Sequence, residues 1–354
     1  MRVLQIMGSL HRGGAETIVM NYYRAFDKNM CQFDFVVHGR FENDYVDEAK
    51  KLGASVFLVS RPGVVGPFKY IKELTKTIKR NGPYDAIHIH TNSQAFMCVI
   101  AAKLASVKRI IVHSHSTRFT KLTLPVNRAV FAMAGVIRVA CGEAAGRSMF
   151  GSKEYIVLNN AINASNFYIE DESDREKNET KTIIGHLGRL CEVKNQIFLI
   201  DVIREVSKRV KIELQIYGEG PYEDLLREHI TNAGLQDVVK LMGVTQKPFD
   251  IYHDFDLFVL PSLYEGFPVT LVETQMSGIP TIASNTISKE CDFSAGLLSF
   301  IPLDENEWIN AIEHFISNPS VAIDKTQLIE KSKEYDTAFQ WKRLYEIYEG
   351  RRKE

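Results

Sequence analysis

Thr182-Ile-Ile-Gly-His-Leu187 runs into Gly188-Arg189-Leu-Cys-Glu-Val-Lys194-Asn195, and a helical pattern over 195–209 follows. The first six residues are apolar and β-branched enough to read as a buried strand. The glycine and polar residues after them read as a loop, and the helix brings the chain back. Repeated along a chain, this strand–loop–helix unit builds a parallel sheet with helices on both faces. The unit does repeat. Downstream, 211–217, 238–241, 257–260 and 280–283 read as strands, with helices at 221–233, 247–253 and 269–277. Upstream, 3–7, 33–37, 55–58, 86–90, 109–113 and 138–140 read as strands, with helices at 14–26, 45–52, 68–79, 93–104 and 143–150. A separate helix is expected at 337–350.

The alternation breaks once. Residues 163–181 are polar, and 170–181 hold six acids, three bases and no apolar side chain. Such a stretch reads as an exposed inter-domain connection. The expectation is therefore an α/β chain of two Rossmann-like, doubly wound halves: 1–165 together with the tail 337–354, and 166–336. A length of 354 residues suits two domains at about 150 each.

Composition narrows the function. Apolar residues are 45% and charged residues 25%, which excludes a disordered or fibrous chain. Lys+Arg is 43 against 44 Asp+Glu, a net charge of -1 that disfavours a global grip on nucleic acid. The cysteines (Cys31, Cys98, Cys141, Cys191, Cys291) are odd in number and form no Cys-x-x-Cys, as expected in a reducing compartment. The first ten residues lack the apolar core of a secretory signal, and the longest apolar run, 129–137, is nine residues. A membrane span needs about 20. A soluble, cytoplasmic protein is expected, at most resting on a membrane surface.

Open α/β sheets bind ligands at the carboxyl ends of their strands. If the halves face each other, the gap between them is the site. Motifs at strand ends therefore carry the most weight. Gly8-Ser-Leu-His-Arg-Gly13-Gly14-Ala-Glu16 follows the first strand and opens a helix; it is either a tight turn or a phosphate contact. It is not G-x-G-x-x-G, so an ordinary dinucleotide site is disfavoured. His88 and His90 alternate with isoleucines and are expected to face opposite sides of their strand, with His90 at its end; His113 and His115 end the next strand. These are either core histidines or the lining of a polar pocket, and no carboxylate follows at metal-ligand spacing. Arg189 and Lys194, five apart in one loop, suit a single anion or are solvated surface charges. Tyr217-Gly218-Glu-Gly220-Pro221 is another strand–glycine–helix turn. In Pro261-Ser-Leu-Tyr-Glu265-Gly-Phe-Pro268-Val-Thr-Leu-Val-Glu273, the N–H groups of Thr270, Leu271 and Val272 are expected to face an anion at a helix start, with a carboxylate on each side. Asp254-Phe-Asp256 lies at the wrong end of the sheet for chemistry and is expected to cap a turn. Residues 103–147 carry eight Lys or Arg against one acid, with apolar side chains between them. That is either an ordinary helix surface or a face for anionic membrane.

Taken together, Gly13-Gly14-Ala-Glu16, the His-x-His before Arg118, Gly188-Arg189…Lys194-Asn195 and Glu265…Glu273 resemble the retaining glycosyltransferases of family 4, of GT-B fold. The resemblance spans essentially the whole chain. Stretches such as Ala140-Cys-Gly-Glu143 and Pro261-Ser-Leu-Tyr-Glu-Gly266 are similar to those of bacterial exopolysaccharide and capsule enzymes. The resemblance implies that Arg189 and Lys194 hold the diphosphate of a nucleotide sugar, with UDP as the nucleotide. Glu273 then binds the ribose, Glu265 contacts the donor sugar near the reacting carbon, and Gly14, Gly188, Gly220 and Thr270–Val272 complete the donor side. Gly13, Glu16, His90, Arg118, Lys121 and Arg128 fall on the acceptor or membrane side. His115 matches the active-site histidine, with His113 as its near alternative. The implied acceptor is a saccharide, free or linked to a polyprenyl diphosphate, and neither metal nor nucleic acid is implied. The tail helix crosses back to the first domain in such folds. A sugar-nucleotide 2-epimerase or a non-catalytic sugar-nucleotide sensor would share the fold.

Overall fold

The computed structural model describes residues 1–11, 13–38, 44–117, 120, 122–167, 181–245 and 248–351. The polar connection at 170–180, Arg118 and Lys121 lie outside the described residues. The chain divides into two compact units, Met1–Asn163 with Glu334–Glu354, and Ala164–Lys333.

In the first unit the order is β1 (Arg2–Ile6), α1 (Gly14–Ala25), β2 (Gln32–His38), α2 (Val46–Lys51), β3 (Val56–Val59), α3 (Pro62–Val65), α4 (Pro67–Asn81), β4 (Ala86–Ile89), α5 (Ala95–Leu104), β5 (Arg109–Ser114), α6 (Leu124–Ala134), β6 (Ile137–Ala140), α7 (Glu143–Phe150) and β7 (Ile156–Val157). The strands form one parallel sheet in the order β3-β2-β1-β4-β5-β6-β7. In the second unit come β8 (Thr182–Leu187), α8 (Gln196–Ser207), β9 (Ile212–Tyr217), α9 (Glu223–Asn232), β10 (Val239–Gly243), α10 (Pro248–Tyr252), β11 (Leu257–Leu260), α11 (Val269–Met276), β12 (Thr281–Ser284), β13 (Leu298–Ile301), α12 (Glu305–Ser317) and α13 (Lys325–Lys333). Its parallel sheet runs β10-β9-β8-β11-β12-β13. The order reverses between β1 and β4 in one sheet and between β8 and β11 in the other. These are the switch points where the loops part and leave a crevice at the strands' carboxyl ends.

The central strands are buried on both faces, so their sequences are mostly apolar and not alternating, with buried polar side chains such as Gln5, His88 and His186 among them. In the second unit Ile184, Leu214, Val259 and Ile282 from four strands pack with Leu199, Ile203 and Trp308. The tail helix α14 (Thr337–Glu349) belongs to the first unit, as the resemblance implied. It packs at the end of α1 against Phe26, the residue that follows the helix, whose ring lies 5.8 Å from Trp341 and 6.4 Å from Tyr348. Asp256 accepts the Ile183 N–H at 2.8 Å, so it does cap the amino end of the sheet.

Candidate active site

Two loops of the second unit leave the carboxyl ends of the neighbouring strands β8 and β11. Leu263 N–H donates to the Val193 carbonyl at 2.8 Å and ties them together. Across that tie, Lys194 Nζ meets Glu265 Oε1 at 2.5 Å, with both side chains more than four-fifths buried. The lysine expected at the donor's diphosphate and the carboxylate expected at its sugar thus meet as an ion pair. Arg189 is exposed, and its guanidinium has no hydrogen-bond or ion-pair partner among the described residues. Its backbone is held from behind. Gln196 Nε2 donates to the Arg189 carbonyl (2.9 Å) and lies 3.3 Å from His186 Nε2, while His186 Nδ1 donates to the Val259 carbonyl (2.9 Å). Burial pushes His186 down to about 4, so it is a neutral strut. The sequence reading missed Gln196; a buried glutamine two residues after the loop's last cation was the available signal.

The loop after β9 presses on the same backbone. A Cβ on Gly218, whose φ is +141°, would stand 2.0 Å from the Gly188 carbonyl oxygen, and one on Gly220 would stand 2.2 Å from that of Leu190. At the start of α11, Leu271 N–H donates to the Pro268 carbonyl (3.0 Å), which corrects the expectation that it faces an anion. The helix tightens in its first turn, so its free donors sit earlier than expected. The hydroxyls of Thr270, on α11, and Ser262, in the loop before it, are buried without a hydrogen-bond partner among the described residues.

Glu273 lies on α11 with Oε2 accepting from the Tyr252 hydroxyl at 2.7 Å. Burial raises its carboxyl from 4.5 to about 7, against the pull of that hydrogen bond. The folded value is the higher one, so this group's contribution is fully present below pH 4.5 and is lost as pH rises through 7. We expect it to remove up to about 3 kcal/mol of stability over that range. Glu273→Gln should remove that part of the slope, seen as the difference between urea unfolding curves at pH 5 and 7.5. Equal slopes in both proteins would refute the assignment.

In the first unit, Glu16 folds back on the N-terminus of α1, where its Oε1 accepts from the Ser9 hydroxyl at 3.3 Å next to Gly13. Gly14 opens the helix. Arg128 donates to the carbonyls of Met149 and Ser148 (3.0 Å each) in the last turn of α7. His88 and His90 share one face of the sheet, their rings 4.1 Å apart, which corrects the expectation of opposite faces. Residues i and i+2 of a strand point the same way. His113 and His115, 4.0 Å apart on β5 and just past it, lie beside them. His90 Nδ1 is 2.8 Å from His115 Nε2, and burial lowers His115 to about 4 and the other three well below the usual histidine range.

Residues 12–140 match the model of glycosyltransferase family 4, and residues 168–335 that of the group 1 glycosyl transferases. EpsF of Bacillus subtilis (strain 168), named as a glycosyltransferase, is 35% identical over 86% of this chain and 84% of its own. The capsular polysaccharide biosynthesis glycosyltransferase CapH of Staphylococcus aureus is 24% identical over 89% and 91%. An Escherichia coli UDP-Gal:α-D-GlcNAc-diphosphoundecaprenol α-1,3-galactosyltransferase is 24% identical over 76% of both. Among solved structures, Anabaena HepE in complex with UDP and glucose superposes with a TM-score of 0.81 over 99% of this chain and all of that one, at 18% identity. Two doubly wound units with loops of this kind at their switch points, and a relative so similar over nearly its full length, establish that the chain belongs to the family 4 glycosyltransferases of GT-B fold.

Proposed function

We propose that this glycosyltransferase moves a hexose from UDP, with retention, to a saccharide or a polyprenyl-diphosphate-linked saccharide in bacterial surface-polysaccharide assembly. The observation that carries the reading is the Lys194–Glu265 pair at the carboxyl ends of β8 and β11. A donor's diphosphate competes for Lys194 and joins it to the unpaired Arg189. Glu265, released, accepts a hydroxyl of the donor sugar. As the bond from the anomeric carbon to the β-phosphate oxygen breaks, the two cations take up the charge of the departing UDP. The acceptor oxygen bonds to that carbon from the same face, and its proton passes to the departing phosphate. Glu273 holds the ribose, and the start of α11, with the Thr270 hydroxyl, faces the phosphates. Gly14 completes the donor side, Gly13 serves the acceptor side, and His115 is the active-site histidine.

The named substrates of the Escherichia coli relative and the UDP in HepE support the donor and the lipid-linked acceptor. No helix of the described residues is long and apolar enough to cross a membrane. Peripheral contact with an anionic bilayer is supported by the outward-facing Leu122 and Met133 within the basic 103–147 region, and by Phe68 beside Lys72 and Lys76 on α4.

Glu265→Gln tests the assignment. The amide keeps the size of the side chain and loses the charge near the reacting carbon. Turnover should fall at least ~100-fold, while UDP binding by calorimetry changes less than ~3-fold because Lys194 is freed for the diphosphate. Equal loss in both would remove Glu265 from the sugar.

A further inference from the structure

We propose that His88, His90 and His113 form a binding site for one divalent transition-metal ion, of the zinc or cobalt kind, inside the first unit. Each ring offers a nitrogen, and these nitrogens all lie within 4.8 Å of one another. At that widest spacing an ion at their centre stands about 2.8 Å from each, so inward shifts of about 0.7 Å per ring reach the ~2.1 Å of a zinc–nitrogen bond.

Three observations point to a ligand. First, His88 Nε2 and both nitrogens of His113 are buried without a hydrogen-bond partner among the described residues. Groups of this kind are normally paired, and a metal ion takes up their lone pairs. Second, the supports that hold ligating histidines are already present. The far nitrogen of His88, Nδ1, is 2.8 Å from the Tyr348 hydroxyl. His90 Nε2 donates to Gln5 Oε1 at 2.9 Å, which leaves Nδ1 as the nitrogen with a lone pair. His115 Nε2–H donates to that atom at 2.8 Å, a hydrogen bond that His90 exchanges for the ion. Third, the histidine rings form one side of a cavity of about 10 Å³, the size of a single ion or water, whose other sides are Gln5, Tyr348 and apolar side chains such as Ile18 and Leu344.

An all-nitrogen donor set selects zinc, cobalt, nickel or copper over magnesium and calcium. No carboxylate lines the cavity, so affinity comes from the imidazoles alone. The ligands sit on β4, just past its end and on β5, and their supports on β1 and α14, so the ion clasps the tail helix to the sheet. The site goes beyond the transfer reaction and does not rest on it.

The experiment uses the full chain without a histidine tag, stripped with a chelator and titrated with Zn²⁺ and with Co²⁺ at pH 7.5. We expect one ion per chain by elemental analysis, a higher thermal midpoint with Zn²⁺, and the visible absorption of tetrahedral, nitrogen-bound Co²⁺. His113→Leu should weaken binding at least ~100-fold. Tyr348→Phe and Gln5→Leu, which leave every ligand in place, should weaken it roughly 10- to 100-fold, and they carry the test if His113→Leu does not fold. Failure of the stripped chain to take up either ion overturns the proposal. So does binding of equal strength in wild type, His88→Leu and Tyr348→Phe, which would place the ion on surface histidines.

Discussion

Lys194→Ala and Arg189→Ala should each lower kcat/KM for sugar transfer about a thousandfold, with the fold retained. One cation about 4 Å from a developing negative charge contributes ~4 kcal/mol at an effective dielectric constant of ~20. That corresponds to about three orders of magnitude in rate. The two variants should differ in stability. Arg189 is exposed and unpaired among the described residues, so its loss should leave the thermal midpoint within about 2 °C. Removing Lys194 leaves Glu265 largely buried without its partner, and the midpoint should fall by several degrees. Adding Glu265→Gln to Lys194→Ala should restore the midpoint without restoring the rate. That separates the ion pair's structural contribution from the lysine's work on the leaving group. A Lys194→Ala enzyme that transfers sugar within tenfold of wild type would exclude the lysine from the diphosphate, whatever its effect on the fold.

The strand–loop–helix units were legible in the sequence because a parallel sheet buried on both faces writes its strands as short apolar runs. β8 and β11 were read to the residue. What escaped was short, mixed or late in its unit. β7 is two residues long, too few for any period. β13, Leu298-Ser-Phe-Ile301, is an edge strand with a polar residue inside it. The helix α12 has a clear start, with the Asp304 side chain accepting the Glu307 N–H, and a buried Trp308. Those signals follow β13, whose mixed pattern hides the strand–loop–helix unit they complete.

The candidate site divides in the same way. Arg189, Lys194, Glu265 and Glu273 were visible as charges at strand ends. That Lys194 and Glu265 touch was not, because 71 residues separate them and only the pairing of β8 with β11 brings them together. The histidines show the reverse failure. Their spacing of two already placed each pair on one face, and the register of Gln5 with His88 adds the glutamine to that face. Tyr348, from the far end of the chain, completes a cluster that no local pattern announces.

Gly218→Ala is the substitution expected to do most harm outside the charged groups. Its φ of +141° lies where a side chain is strained, and its Cβ would stand 2.0 Å from the Gly188 carbonyl oxygen. Neither obstacle can rotate away. Both are backbone, and both are tied: Gly188 N–H donates to the Tyr217 carbonyl (3.0 Å) and Gly218 N–H to that of Gly243 (2.8 Å). Strained backbone at about 1–3 kcal/mol and overpacking at a similar figure give a loss of about 4 kcal/mol. Relief would come from pushing away the loop that carries Arg189, and a displacement of about 1 Å there lowers the rate ~100-fold in addition. Gly234→Ala is the control. Its φ is +69°, but no atom lies within 4 Å of its added Cβ, so only the backbone preference is lost, about 1 kcal/mol. Urea unfolding and initial rates of the two variants decide the matter. If they are equally stable and equally active, the glycine is there for its dihedral angle alone and the loop after β9 does not set the position of Arg189.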